Sequence, residues 1–138
     1  MPKKSEKKKI KDKAWTLFSQ YIRRRDSDKH GYCNCCTCGK KAPWKELQAG
    51  HFIAGRNASI LFEEDAVHAQ CVGCNLFGGG KQAQYYAFMK EKYGLKRIDE
   101  LYTQANQVKK VSVSDYMELI DDLMDKLVGL DIRDERED

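Results

Sequence analysis

Residues 33–39 read CNCCTCG and residues 71–74 read CVGC, and these two segments hold all six cysteines of the 138-residue chain. They contain three Cys-x-x-Cys pairs: Cys33 with Cys36, Cys35 with Cys38, and Cys71 with Cys74. Such a pair presents two thiolates from one tight turn, and tetrahedral Zn²⁺ takes four such ligands. Gly39 directly follows Cys38 and lets the chain turn sharply while backbone amides point at the sulfurs. The pattern therefore predicts structural zinc on Cys35, Cys38, Cys71 and Cys74.

Two cysteines and one histidine near these turns remain outside that assignment. Cys33 and Cys36 are spare thiols in this interpretation, and His30 is a loop histidine that could replace a thiolate ligand. Cysteines buried merely as small apolar residues would not explain two separate Cys-x-x-Cys turns.

The ends of the chain and its hydropathy bear on its location. The N-terminal lysines are not followed by an apolar segment, so we expect no secretory signal. Without such a signal we expect a cytoplasmic location. Thiols stay reduced there, which favours metal binding over disulfides. No stretch of the sequence approaches the roughly eighteen apolar residues of a membrane span, so no membrane partner is expected.

The positive charge is concentrated at the front of the chain. The formal net charge is +4, residues 1–13 carry seven lysines against two acidic residues, and residues 57–138 carry ten basic against sixteen acidic residues. We predict that residues 1–13 form a disordered basic tail, either simply solvated or attached to nucleic-acid phosphates through counterion release. Residues 14–130 would form one domain, followed by a solvated acidic tail at residues 131–138.

The spacing of apolar residues predicts an α+β fold for that domain. A helical period favours a first helix over residues 14–25. Short apolar segments at residues 47–53 and 67–71 suit the two strands of a hairpin. Three further helices are expected: at residues 82–93 with Gly94 as the stop, at residues 98–105, and behind a capping Ser114.

Several short motifs occur in a specific order over residues 15–102. They are YIRRRD at 21–26, CTCGK at 36–40, WKE at 44–46, AGHFI at 49–53, VHAQCVGCN at 67–75, GGKQ at 79–82 and EKYG at 91–94. Through them the chain resembles the HNH (ββα-metal) nucleases and, more closely, the NinG (Rap) family of phage recombination proteins, a group tied to branched-DNA cleavage. The resemblance implies a zinc-stapled treble-clef or ββα-metal core, a β-hairpin plus a helix, with flanking helices.

The resemblance also implies roles for single residues. His51 would be the general base that activates water, and Asn75 would help to hold a catalytic Mg²⁺ or Mn²⁺. His68 could complete that metal site or orient the phosphate, or it could simply be a histidine packed beside the second cysteine turn. Charge alone suggests DNA-phosphate contacts for a further set: Arg23, Arg24, Arg25, Arg56 and Lys81.

Two positions depart from the HNH pattern. Ala66 stands where the motif has an asparagine that orients the catalytic histidine, and Gly50 stands where several HNH enzymes have a metal-binding aspartate. Either another group orients His51, with Glu63, Glu64 and Asp65 nearby, or the active site is impaired. In the latter case Ala66→Asn should improve activity.

Three functions remain open from the sequence. The leading one is a metal-dependent DNA endonuclease acting on branched or recombination-intermediate DNA. The alternative is a non-catalytic, zinc-stabilised DNA-binding module, and the third is a zinc protein whose acidic C-terminal part recruits a protein partner. Because resolving a four-way junction takes two nicks, a homodimer would suit the first function.

Overall fold

The computed structural model describes residues 4–55 and 57–136, and it has a mixed α+β architecture, as predicted. The order of elements is α1 (Lys4–Arg25), β1 (Tyr32–Asn34), β2 (Lys41–Pro43), β3 (Leu47–His51), β4 (Val67–Cys71), α2 (Gln82–Tyr93), α3 (Leu95–Ala105) and α4 (Val113–Glu135). Short helical turns at Trp44–Glu46, Glu64–Ala66 and Gly73–Phe77 connect these elements.

The strands form two separate antiparallel hairpins. β1 pairs with β2 so that Cys33 lies opposite Ala42. β3 pairs with β4 so that Leu47 lies opposite Cys71 at one end, and His51 lies opposite Val67 at the other. The second hairpin therefore carries Cys71, a predicted zinc ligand, at one end and His51, the predicted general base, at the other.

Helices cover both faces of the β3–β4 hairpin. Alternation along the strands sends Ala49 and Val67 to one face, where they pack with α1 and α4. On the other side Phe52 and Ala66 join a larger core with α2 and α3. This second core contains Phe52, Ile60, Ala66, Tyr85, Met89, Ile98, Leu101 and Ala105.

Helices α1 and α4 lie side by side and run in the same direction. Ala14 near the middle of α1 packs with Tyr116 at the start of α4. Towards the other end, Arg24 forms ion pairs with Asp131 at 2.8 Å and Asp134 at 3.3 Å. The acidic end of the chain thus meets a basic partner within the molecule.

The structure differs from the prediction at both chain ends. Residues 4–13 belong to α1 rather than to a disordered tail, because Ile10 packs against the Ala14–Tyr116 cluster and Lys8 pairs with Asp12 one turn later. Residues 1–3 lie outside the described residues. Residues 131–135 likewise belong to α4 rather than to an acidic tail.

One other local prediction needs correction. Ser112, not Ser114, caps α4, because the Ser112 hydroxyl accepts from the Asp115 amide while the Asp115 carboxylate accepts from the Ser112 amide. Asn75 lies in the π-helical turn Gly73–Phe77, and the glycines after it separate this turn from α2, which begins at Gln82 as predicted. None of the described helices is long and apolar enough to span a membrane.

Candidate functional site

The two cysteine turns meet in a cluster of four thiols. The Sγ atoms all lie within 4.8 Å of one another, and they belong to the four predicted ligands Cys35, Cys38, Cys71 and Cys74. Sulfurs bound tetrahedrally to zinc at 2.3 Å are about 3.8 Å apart, and Cys38 Sγ lies 3.7 Å from Cys71 Sγ. The cluster can therefore hold a metal ion such as zinc.

Within the cluster, the surroundings of Cys35 favour its thiolate form. Burial raises the pKa of Cys35, but hydrogen bonds from the Thr37 hydroxyl and from backbone amides outweigh it and lower the pKa to about 6. The Cys74 amide also donates to Cys71 Sγ at 3.4 Å. Because the thiolate is the form that binds a metal, these donors suit the ligand role.

The other two cysteines lie outside the cluster, as predicted. Cys33 is buried with Leu47 and Ala69, and burial raises its pKa to about 12. Cys36 packs against the core that contains Tyr85, and burial raises its pKa above the usual value. Both thiols are therefore protonated near neutral pH and contribute to packing.

A cleft of about 610 Å³ lies between α1, β3 and the loop before α2. It is lined by Trp15, Ser19, Arg23, Leu47, Gln48, Ala49, His51, Ala54, Asn75, Gly79, Gly80 and Gln82. The structure thus brings His51 and Asn75 to one cleft, as the resemblance implied. None of the described residues that line it is acidic.

His51 is held in a defined orientation by two groups that the sequence did not indicate. Its Nε2 lies 3.2 Å from the Leu61 carbonyl, which can only accept, so Nε2 carries the proton and Nδ1 the lone pair. The imidazole also stacks on Trp15, with ring centroids 5.0 Å apart and planes 16° apart. No sequence signal could have identified Leu61, because the group that matters is a backbone carbonyl.

Asn75 is oriented from the facing strand. Its Nδ2 donates to Gln48 Oε1 at 2.8 Å, so the amide oxygen Oδ1 is the atom that remains for a cation. Gln48 is thus a site residue that sequence reasoning missed, although it lies within the strand predicted at residues 47–53.

The structure gives physical reasons for both departures from the HNH pattern. Ala66 is fully buried among apolar side chains, so an asparagine there would lack space and the Leu61 carbonyl holds His51 instead. At Gly50 a Cβ would overlap Gln70 Oε1, so the position has no room for an aspartate.

Gln70 links the cysteine cluster to the cleft. Its side chain is fully buried, and Nε2 donates to Thr37 Oγ1 at 3.1 Å and to the Gly80 carbonyl at 2.9 Å. Thr37 contacts Cys35 Sγ at 3.3 Å, while Gly80 lines the cleft. Within the described residues Gln70 Oε1 has no hydrogen-bond partner.

His68 does not reach the cleft, contrary to one of the predicted roles. It is 1% exposed, with Nδ1 3.2 Å from the Tyr85 hydroxyl and Nε2 2.7 Å from the Tyr93 hydroxyl. Tyr85 donates to the Gly50 carbonyl at 2.7 Å, so it accepts from Nδ1, and Tyr93 donates to Nε2. Burial lowers the pKa of His68 to about 4, and the packed-histidine alternative describes it.

Among the predicted DNA contacts that the structure describes, only Arg23 lines the cleft. Its guanidinium lies over the Trp44 ring, 5.1 Å from the centroid, and Nε donates to the Ser19 carbonyl. Arg24 pairs with the end of α4. Arg25 pairs with Asp26 and donates to two backbone carbonyls, so the structure assigns Arg24 and Arg25 to internal contacts.

Two of the predicted basic residues, Lys81 and Arg56, are close in sequence to residues that line the cleft. Lys81 is exposed between Gly80 and Gln82, which both line the cleft, and it adopts a left-handed backbone with φ 49°. Arg56 lies outside the described residues.

Fold and site together define a mixed α+β protein with two β-hairpins. It has a cluster of four cysteines that can hold a metal ion and, beside it, a cleft that contains a histidine. The family model described as Bacteriophage Lambda NinG protein matches residues 2–132. The chain therefore belongs to the NinG family.

Individual relatives agree with this assignment. The chain is 29% identical over 121 residues to protein ninG of Salmonella phage P22, covering 81% of this chain and 56% of that protein. It is 31% identical over 97 residues to protein ninG of Escherichia phage 933W and of Escherichia phage lambda, covering 68% of this chain and 45% and 44% of those proteins. The chain spans about half the length of these relatives. No solved structure matches it significantly.

Proposed function

We propose that this chain is a metal-dependent DNA endonuclease of the HNH type, with a structural Zn²⁺ on the four cysteines. The observation that carries the proposal is the fixed orientation of His51 in a cleft that also holds Asn75. The order of cysteine turn, hairpin and helical turn along the chain supports a treble-clef core.

His51 has the properties of a general base. A base needs a lone pair held in a defined direction, and the Leu61 carbonyl leaves that lone pair on Nδ1. When Nδ1 takes a proton from the attacking water, the ring becomes an imidazolium. Its Nε2–H then donates more strongly to Leu61, which stabilises the positive charge. The stacked Trp15 ring opposes rotation of the imidazole.

Asn75 offers the clearest protein ligand for a catalytic Mg²⁺ or Mn²⁺, through Oδ1. When bound, the ion would stabilise negative charge on the phosphate and the leaving oxygen. Because no described residue lining the cleft is a carboxylate, we expect the ion to be held together with phosphate oxygens and water. Mg²⁺ commonly retains several waters and binds through substrate phosphates.

Arg23 and Lys81 provide positive charge for the substrate. The Arg23 Nη1 contacts to two carbonyls are long, at 3.4 Å, and among the described residues Nη2 donates to none. An arginine with unused donors at a cleft suits a phosphate oxygen. Lys81 would add a point charge next to the cleft.

Exposed apolar residues next to Asn75 support a branched substrate. Leu76 is 60% exposed and Phe77 is 87% exposed, and they lie between Asn75 and the cleft-lining glycines. Apolar side chains that insert between bases favour DNA that is already unstacked or bent. A branch point offers such bases, and a linear duplex offers few.

The proposal is tested by incubating the protein with linear, flapped and four-way-junction DNA in EDTA, Mg²⁺ and Mn²⁺. We expect nicking only with a divalent ion, and a loss of about 10²–10⁴-fold in His51→Ala. His30→Ala is the matched control, because His30 is an exposed histidine outside the cleft. Phe77→Ala should reduce the preference for branched over linear DNA, and sizing the complex on junction DNA shows whether two copies bind.

A second candidate function is the non-catalytic DNA-binding module. The absence of a carboxylate among the described cleft residues favours it. Binding without nicking in every metal would establish this alternative. Nicking that survives His51→Ala unchanged would overturn the assignment of His51.

A further inference from the structure

A second groove, here called the lysine groove, brings together five lysines from two separate segments. Its volume is about 660 Å³. The lysines are Lys7, Lys8, Lys11, Lys109 and Lys110, and the remaining lining residues are Ala58, Val111 and Tyr116. The two segments meet because Ile10 of α1 and Val111 pack in one cluster with Tyr116 of α4.

The lysine groove has more positive than negative charge. Lys8 pairs with Asp12 at 2.8 Å, and both side chains are well exposed. Asp115 lies near Lys109 and Lys7; its pKa is lowered by hydrogen bonds from Ser112 and additionally by these two lysines. Five ammonium groups thus lie beside the carboxylates of Asp12 and Asp115, and an exposed pair such as Lys8–Asp12 contributes little.

The lysine groove continues into the histidine cleft along one row of α1. Residues four apart on a helix are neighbours on its surface. Such a row contains Lys7, Lys11, Trp15, Ser19 and Arg23, of which the first two line the lysine groove and the last three line the cleft. From Lys7 to Trp15 the row extends about 12 Å along the axis. That length matches about three to four base pairs at 3.4 Å each.

We propose that the lysine groove binds the phosphate backbone of duplex DNA next to the phosphate held in the histidine cleft. The inference rests on the proposed function, because the cleft defines where the duplex lies. Lysines bind phosphates as point charges without reading base sequence. A regularly charged backbone also matches a helix row that has cations in both grooves, Lys7 and Lys11 in one and Arg23 in the other, better than a short acidic peptide does.

The test uses the full chain with Lys109→Gln and Lys110→Gln together. Both lysines are exposed in the loop before α4, so neither substitution interrupts a helix. The matched control is Lys90→Gln with Lys96→Gln, which removes two exposed lysines from α2 and α3. Affinity for a labelled duplex is measured in EDTA over a range of salt concentrations. We expect the salt slope to fall by about 2 in the loop variant, at about 0.9 per lost phosphate contact, and to stay unchanged in the control.

Nicking is measured on the same samples so that the two proposals can fail separately. An unchanged salt slope in a protein that still nicks DNA overturns the lysine groove alone. A lysine-dependent slope without any nicking overturns the nuclease and leaves the lysine groove. If duplex binding is insensitive but poly-glutamate binding depends on Lys109 and Lys110, the partner is an acidic polypeptide and the DNA proposal is wrong. A wild-type chain that binds no DNA even at low salt overturns both.

Discussion

Cys71 of the four-cysteine cluster and His51 of the histidine cleft lie at the two ends of the β3–β4 hairpin, yet the two sites differ in how complete they are. The cluster has four sulfurs within 4.8 Å, which satisfy a tetrahedral ion without help. The cleft has an imidazole, an amide and a guanidinium, but no carboxylate among its described residues. The difference suits a cluster that serves the fold, whereas the catalytic metal site proposed for the cleft would need a substrate phosphate to be complete.

The largest effect should come from removing one ligand of the cluster. Cys38 is exposed, so Cys38→Ser removes almost no packing, and a large loss of stability would report on the metal alone. Zinc sites contribute about 10–16 kcal/mol in small peptides, so we expect a loss of several kcal/mol in urea unfolding, with loss of bound zinc. Cys36→Ser, outside the cluster, is the control and should keep its zinc. If Cys38→Ser kept both zinc and stability, the cluster would not be the self-sufficient site of this comparison.

The next largest effect concerns the hydrogen-bond chain behind the cleft, from Tyr93 through His68 and Tyr85 to the Gly50 carbonyl. Burial lowers the pKa of His68 from 6.5 to about 4; Asp26 and Asp65 oppose this shift, while Arg25 and Lys92 add to it. Between these pH values the unfolded chain binds a proton that the folded chain does not. The contribution of neutral His68 to the free energy of unfolding is therefore fully present above pH 6.5 and is lost as the pH falls towards 4.

The free energy of unfolding should rise by about 1.4 kcal/mol per pH unit between pH 4 and 6.5, or by about 3 kcal/mol in total. Urea unfolding at several pH values measures it. His68→Phe keeps the side-chain volume and removes the titrating group. The free energy of unfolding of the variant should therefore depend less steeply on pH, by that amount. At neutral pH the variant should be less stable, because two tyrosine hydroxyls lose a hydrogen-bond partner. Equal slopes in both proteins would show that His68 does not stay neutral in the fold.

Gly50→Ala tests whether Gln70 couples the two regions. A Cβ at Gly50 would overlap the buried Gln70 amide, which contacts both Thr37 and the Gly80 carbonyl. We expect a loss of about 1–3 kcal/mol from overpacking, together with slower nicking. Gly129→Ala is the control, because nothing lies within 4 Å of a Cβ there and the helix should gain up to about 1 kcal/mol. Nicking that stays at the wild-type rate in Gly50→Ala would mean that the cleft tolerates displacement of Gln70.

The same contrast explains what could be predicted from the sequence. The cysteine ligands follow a local pattern, two Cys-x-x-Cys turns with Gly39 behind one of them, so the set of four that meets in space was correct. The cleft depends on groups distant in the chain. The Leu61 carbonyl has no side-chain signature, and which face of β4 holds His68 depends on where α2 packs. The helix at residues 4–13 forms because Ile10 packs with Tyr116, which lies more than a hundred residues away in the chain. The lysine content of this segment alone does not reveal that contact.

The smallest expected effect is on the metal requirement of the cleft. Gln48 accepts from Asn75 Nδ2 at 2.8 Å and thereby directs Oδ1; Gln48→Leu keeps the size but not the acceptor. Loss of such an orienting partner costs about 10-fold in metal affinity, so the Mg²⁺ concentration for half-maximal nicking should rise by about that factor. Gln48→Glu keeps an acceptor and should retain the wild-type requirement or lower it. Because the proposed metal site needs a substrate phosphate to be complete, Mg²⁺ titrated into the zinc-loaded protein without DNA should give no binding at the concentrations that support nicking. Tight Mg²⁺ binding in the absence of DNA would contradict the distinction between a self-sufficient cluster and a substrate-completed cleft.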